Sequence, residues 1–354
     1  MGYGLWVIGY GLRVMGYRLR VMGYGLRVTG YRLWVIVFLL SPYTLHLTPY
    51  TTLHAQMTAE REQQFKYYFY AAQQSFDREE YDKALMQLRF CEQLNPQDAQ
   101  TKDYLGLIQY GLHNPEVARQ YWAKAYELAP DQLWEHYAQS LLETKDKKQV
   151  EQGVSIIQKA ARSHPKDEDT WDKLVEVLIR TGKYKQAIKA QQHLDQIKGY
   201  DEYSAITYYR IHVMAGEYKK ALQAVEHYLS LEPRDTRFQL FRVQLYEQVG
   251  IKWSKLEQAY LSYLQMDPSN MTIWNNYAYG LAIHGGDLKK AEAMSLRTLK
   301  ENPDSPVYLD TYAWILHLQG QDNLAQFYIR KAIENAPAGM DTKELEEHRK
   351  AIEK

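Results

Sequence analysis

Residues 306–337 read PVYLDTYAWILHLQGQDNLAQFYIRKAIENAP, and this stretch decides the fold. Leu309, Tyr312, Ala313 and Leu316 fall at i, i+3, i+4 and i+7, the spacing of one apolar face on a first helix. Gly320, Gln321 and Asp322 break that helix, since Gly accepts the left-handed conformation that closes a helical end. Ala325, Ile329 and Ala332 then form the inner stripe of a second helix, and Pro337 ends the unit because proline cannot continue a helix. The stretch therefore predicts two antiparallel helices joined by a tight turn.

Outward from this unit the prolines keep time. Pro96, Pro130, Pro165, Pro233, Pro268, Pro303 and Pro337 lie 34, 35, 68, 35, 35 and 34 residues apart, the long interval being two units with one proline missing near Lys198-Gly199. A fixed period in the mid-thirties is the mark of a helical-hairpin solenoid. With Pro337 counted as position 32, Leu309, Tyr312, Ala313, Leu316, Ala325, Ile329 and Ala332 occupy positions 4, 7, 8, 11, 20, 24 and 27. The small residue near position 20 recurs as Ala84, Ala118, Gly153, Ala187, Ala221 and Ala291, with Leu256 in the sixth unit. Position 27 gives Cys91, Ala125 and Ala160, but the large Tyr228 and Tyr263 in units five and six. Small residues are needed where two helices cross closely, because an overpacked crossing costs about 1–3 kcal/mol.

Position for position, the pattern resembles the tetratricopeptide repeat. The resemblance implies an all-α fold, a right-handed α–α superhelix of about eight hairpins, over 65–97, 98–131, 132–166, 167–199, 200–234, 235–269, 270–304 and 305–338. The third unit fits when its first helix starts early (Trp134, Tyr137, Ala138, Leu141) and its turn is lengthened through Lys145–Lys148. In the seventh, Trp274, Tyr277, Ala278 and Leu281 are followed by an extra residue at Gly285-Gly286. The solenoid is expected over 57–340, with residues 341–354 as a polar C-terminal capping helix, since a terminal unit needs one wet face.

The first 56 residues read differently. Gly-Tyr recurs every seven residues through residues 1–32, with Leu and Val in step. A heptad coiled coil is disfavoured, because each unit holds a Gly, costing about 1 kcal/mol against Ala in a helix, and lacks pairing charges. The tract is expected to be disordered or not naturally translated. Residues 33–56 follow a basic flank at Arg32 with the apolar run LWVIVFLL, then a polar stretch to Ala55-Gln56, the outline of a secretory signal peptide. Pro42, His46 and Pro49 interrupt any spanning helix, which needs about 20 apolar residues.

The chain has 43 Lys+Arg and 43 Asp+Glu, but its first 56 residues hold five Arg and no acid, so the remainder carries a net charge of −5. That mildly acidic body has no electrostatic footprint for nucleic acid. One cysteine, Cys91, precludes a disulfide within the chain and a thiolate zinc site, and at a core position it behaves as a small apolar group. No HExxH, phosphate-binding glycine loop or metal-ligand spacing appears. His212 and His227 lie on opposite helices of one hairpin, and Asp169, Asp172 and Glu176 read as a solvated or partner-facing stripe. No catalytic residue, cofactor or metal is expected.

In solenoids of this kind, the resemblance implies that positions 2, 5, 9 and 12 of the first helices line the concave face. Those positions hold Phe69, Tyr203, Arg210, Trp314 and His317, and large aromatics with Arg are the side chains that dominate binding hot spots. Chaperone-type members grip a terminal carboxylate with Lys at position 5 and Asn at position 9, but unit one has Phe69 and Gln73 there, and unit seven Asn275 and Tyr279. The expected function is a non-enzymatic scaffold that binds a protein or peptide, exported to the periplasm or cell envelope. The alternative is a cytoplasmic adaptor or regulatory module serving a catalytic partner, with translation starting near Met57. Terminal sequencing of natively expressed protein separates the two: the export reading expects Gln56 first, and a chain beginning at Met57 removes it.

Overall fold

The computed structural model describes residues 58–354, and the expectations for residues 1–32 and 33–56 lie outside the described residues. Ala59–Lys354 forms one compact unit. It contains α1 (Ala59–Asp77), α2 (Tyr81–Leu94), α3 (Ala99–Gly111), α4 (Pro115–Leu128), α5 (Glu135–Leu142), α6 (Lys147–Ser163), α7 (Glu168–Arg180), α8 (Tyr184–Lys198) and α9 (Glu202–Met214). These are followed by α10 (Tyr218–Leu231), α11 (Thr236–Val249), α12 (Trp253–Met266), α13 (Met271–Ile283), α14 (Leu288–Glu301), α15 (Pro306–Leu318), α16 (Asp322–Glu334) and α17 (Lys343–Ile352). There is no strand among the described residues. The first sixteen helices pair into eight hairpins, each packed on the next, and α17 closes the array. The odd-numbered members, α1 to α15, are called A helices and their partners B helices.

The period in the sequence has a local cause. After most B helices comes a proline, one residue, and then a helix-capping side chain. Asp98 accepts from the Thr101 amide at 2.7 Å, and Asp235, Asn270 and Ser305 cap α11, α13 and α15 in the same way. Such a cap satisfies an amide that the helix leaves unpaired. Where the proline is missing, Gly199 takes its place at φ 87° and Asp201 forms a reciprocal capping box with Ser204.

Close crossing of A on B sets the hairpin geometry. Ala84, Ala118, Ala187, Ala221, Ala291 and Ala325 have no exposed surface. A methyl group added at Gly153 would sit 2.9 Å from the Ala138 carbonyl oxygen, so the third hairpin crosses at backbone contact. A similar approach at Gly106 is filled by the Trp122 indole, whose Nε1 donates to the Asp103 carbonyl at 3.2 Å. In the sixth hairpin the small residue sits one turn later than the repeat predicts, at Ala259, which is buried, while Leu256 is half-buried. Trp253 explains the shift: its ring packs on Tyr260 and His284, over Gly280.

Two boundaries and the character of the last helix differ from the sequence reading. α1 begins at Ala59, well before the first repeat frame, because 59–64 is a continuous helix-forming run with nothing to stop it. α5 is only eight residues long, and the lengthened turn through 143–146 feeds a long B helix capped by Asp146. The closing helix is not polar all round: Leu345, His348 and Ile352 are buried.

The A-to-B turn uses one left-handed residue in every hairpin but the third. Gly182, Gly216, Gly250, Gly285 and Gly320 take φ between 64° and 75°. In the first two hairpins the same place holds Glu79 and His113, at φ 62° and 63°. A side chain in this region costs of order 1 kcal/mol. Two stability measurements test this account. His113→Gly should raise the unfolding free energy by up to about 1 kcal/mol in a denaturant titration. Gly153→Val should lower it by about 1–3 kcal/mol, and an unchanged midpoint would show that the crossing is looser than described.

Candidate functional site

The A helices carry a continuous row of side chains, and bonds run along that row from each A helix to the next. Gln73 Nε2 donates to the Tyr104 hydroxyl at 2.9 Å between α1 and α3. His136 Nδ1 meets Asp103 Oδ1 at 2.7 Å, and Lys173 Nζ meets Glu135 Oε1 at 2.5 Å. Between α7 and α9 the Tyr203 hydroxyl donates to Asp172 at 2.8 Å and Arg210 pairs with Glu176 at 3.3 Å. Arg237 pairs with Glu202 at 2.8 Å, and Asn276 donates to Glu247 at 3.1 Å. Thr272 and the Tyr308 hydroxyl lie 3.4 Å apart between α13 and α15. Every adjacent pair of A helices is bridged. Burial opposes the charge on His136, but the Asp103 carboxylate outweighs it and holds the imidazole pKa above its ordinary value.

The five residues singled out from the sequence occupy three separate places along this row. Phe69 is 8% exposed and lies inside the junction of the first two hairpins, stacked on Phe65 and edge-on to Tyr104 at 5.4 Å. Its ring packs within the solenoid and leaves little surface for a ligand. Tyr203 and Arg210 stand together on α9. Tyr203 is 39% exposed, with the Lys198 ammonium 4.6 Å from its ring centre. Burial and the Asp172 carboxylate both push the Tyr203 hydroxyl above the ordinary tyrosine range. Trp314 and His317 stand on α15, 5.3 Å apart, with His317 Nδ1 2.7 Å from Asp322.

A group that the sequence reading did not assemble surrounds Trp314. Its indole stacks on His348 of α17 at 4.2 Å and 18°. His348 Nδ1 lies 2.8 Å from Asp310 Oδ1, and both side chains are 9% exposed. The Tyr279 hydroxyl, from α13, donates to Glu344 at 3.0 Å and lies 3.4 Å from His348 Nε2. The signal was present in part: Tyr279, Asp310 and Trp314 all sit at positions 5 or 9 of their repeats. What the periodicity could not supply was a third helix laid across them.

Other chemistry is limited. His212 and His227 line an open cavity of about 390 Å³ between α8, α9 and α10, together with Asp195, Tyr208 and Lys220. His212 Nδ1 is paired with Glu217 at 2.9 Å. No group of three or more His, Cys, Asp or Glu side chains among the described residues is arranged to hold a metal ion. Burial pushes the Cys91 thiol up to about 12, so the sulfur stays protonated at neutral pH and is no thiolate nucleophile. No described helix is long and apolar enough to cross a membrane.

Comparison with known proteins agrees with this architecture. Residues 52–205, less than half of the chain, match the family model of the TPR domain of cytochrome c-type biogenesis protein H. No curated protein is a significant match in sequence. The C-terminal part of a TPR repeat-containing protein from Cytophaga hutchinsonii aligns with 69% of this chain and 98% of its own, at a TM-score of 0.52 and 16% identity. The structure of Naa15/Naa10 bound to HypK-THB aligns with 80% of this chain, which spans 43% of that one, at a TM-score of 0.56 and 12% identity. A tetratricopeptide repeat protein from Parabacteroides merdae aligns over 82% of this chain and all of its own at a TM-score of 0.43 and 14% identity. Identities this low speak to the fold alone. With its mid-thirties period and its eight stacked helical hairpins, this chain has the fold of a tetratricopeptide-repeat solenoid, and its residues 52–205 match the family model of one such domain.

Proposed function

We propose that the chain is a non-enzymatic scaffold that binds a protein or peptide along the concave A-helix face, and that it works in the cell envelope. The observation that carries the reading is the patch on α7 and α9. There an exposed tyrosine ring, an arginine and two carboxylates share one stretch of the A-helix row. Tyr203 offers a flat amphipathic surface with few rotamers to freeze. Arg210 and Glu176 are half exposed, so their mutual bond is worth only about 0–1 kcal/mol, and an incoming partner can replace it at little cost. Aromatic and arginine side chains are the groups whose truncation most weakens protein interfaces.

The envelope location is supported by two things: the basic and apolar leader preceding Ala55-Gln56, and the match of residues 52–205 to the cytochrome c-type biogenesis domain. A partner that engages the patch should depend on both side chains together. Affinity capture from the native host, using the full chain and a Tyr203→Ala/Arg210→Ala variant, tests this. The variant should melt like the parent and lose the captured partner by roughly tenfold or more. Equal recovery on both baits would place binding elsewhere.

A further inference from the structure

The bridges between A helices run between immediate neighbours, 29 to 38 residues apart in sequence, with one exception. The closing helix α17 reaches back two hairpins: Tyr279 on α13 bonds Glu344 and approaches His348, 65 and 69 residues away. A helix that only closed the end of the stack would touch the last hairpin. α17 packs on α16 and α15 and meets inner-face side chains there and on α13: Asp310, Trp314 and Tyr279.

The groups it meets there are a buried acid and an aromatic face. Asp310 is 7% exposed and set beside an indole, and burial holds its pKa above the ordinary value against the opposing pull of His348. An end cap needs only apolar contacts in such a place, and Leu345 and Ile352 already supply them. Instead α17 inserts an imidazole that bonds the carboxylate and stacks on the ring. It is also an imperfect occupant. Trp314 Nε1 is enclosed and has no hydrogen-bond partner while α17 is in place, and a buried donor left unpaired costs about 1–3 kcal/mol. A segment of eight residues that follows α16 and contains Gly339 at φ 89° tethers the helix.

We propose that α17 is an internal ligand, holding the groove of the seventh and eighth hairpins in place of an amphipathic partner helix that presents a basic side chain to Asp310 and Trp314. This is helix-in-groove recognition, with apolar anchors spaced like Leu345 and Ile352 and a carboxylate one turn before the basic side chain, as Glu344 precedes His348. It rests on the scaffold reading and names a partner class for a second stretch of the same face.

The test uses the full chain carrying a protease site in 336–342, cleaved after folding, and a fluorescent peptide of residues 341–354 as probe. The nicked solenoid should stay folded, exchange its own α17 and bind the probe. A probe with His348→Arg should also bind, and one with His348→Ala should bind roughly tenfold or more weakly. Asp310→Asn or Trp314→Ala in the solenoid should weaken the parent probe to a similar degree. The proposal is overturned if nicking melts the last two hairpins, since α17 would then be a structural cap. It is equally overturned if binding ignores His348 and Trp314, or if the uncut chain is a dimer exchanging α17 between copies, which would make the occupant a second copy. Partner capture through Tyr203 and Arg210 is independent of these outcomes, so either reading can fail while the other stands.

Discussion

Backbone-close crossing of two helices is the constraint from which the rest of this molecule follows. A hairpin that crosses at Ala and Gly leaves no room for a side chain at the contact, so its bulk is displaced to the outer faces. Leu105, Ile108, Leu178, Leu194, Ile211 and Leu309 are buried on those faces with almost no exposure. No single hairpin can bury such a face alone, which is why the units stack. Stacking in turn places the A helices side by side, and only then do Asp103 and His136, or Glu176 and Arg210, come within reach of one another. The inner surface is thus a product of the crossing, several steps removed.

The features legible in the sequence were those with a local cause. The prolines keep time because Pro96, Pro233, Pro268 and Pro303 are each followed two residues later by an Asp, Asn or Ser that caps the next A helix within three residues. Ala84, Ala118 and Ala221 stood out because a crossing tolerates nothing larger. Features that depend on two or three units at once were not legible. Phe69 occupies an inner-face position yet packs under Tyr104, because the neighbouring A helix also offers an aromatic there. His348 sits in a segment whose composition is nearly all charged, and its burial follows from Asp310, 38 residues earlier. Glu79 and His113 carry no sign in the sequence of the left-handed backbone they adopt; the equivalence with Gly182 and Gly216 emerges only when the turns are superposed on the repeat.

The scaffold reading and the internal-ligand reading share one physical theme. This protein has satisfied most of the polar groups on its inner face with its own side chains, so a ligand gains affinity by replacing bonds rather than by meeting bare ones. That arrangement favours selectivity, since a partner with the wrong charge leaves a carboxylate such as Asp172 or Glu176 without its hydrogen bond. It also separates the two stretches of the face. Around α9 the existing bonds are exposed and weak, while around α15 they are enclosed.

The row of bridges between A helices has a mechanical side. Three of its members, Glu135–Lys173, Glu176–Arg210 and Glu202–Arg237, are exposed ion pairs that dissolved salt screens, whereas the apolar contacts between hairpins are not weakened by that screening. The two sides of the solenoid therefore answer differently to their surroundings. As ionic strength rises, those three bridges weaken while the hydrocarbon layers hold. The stretch from the third to the sixth hairpin is therefore where dissolved ions act on the stack.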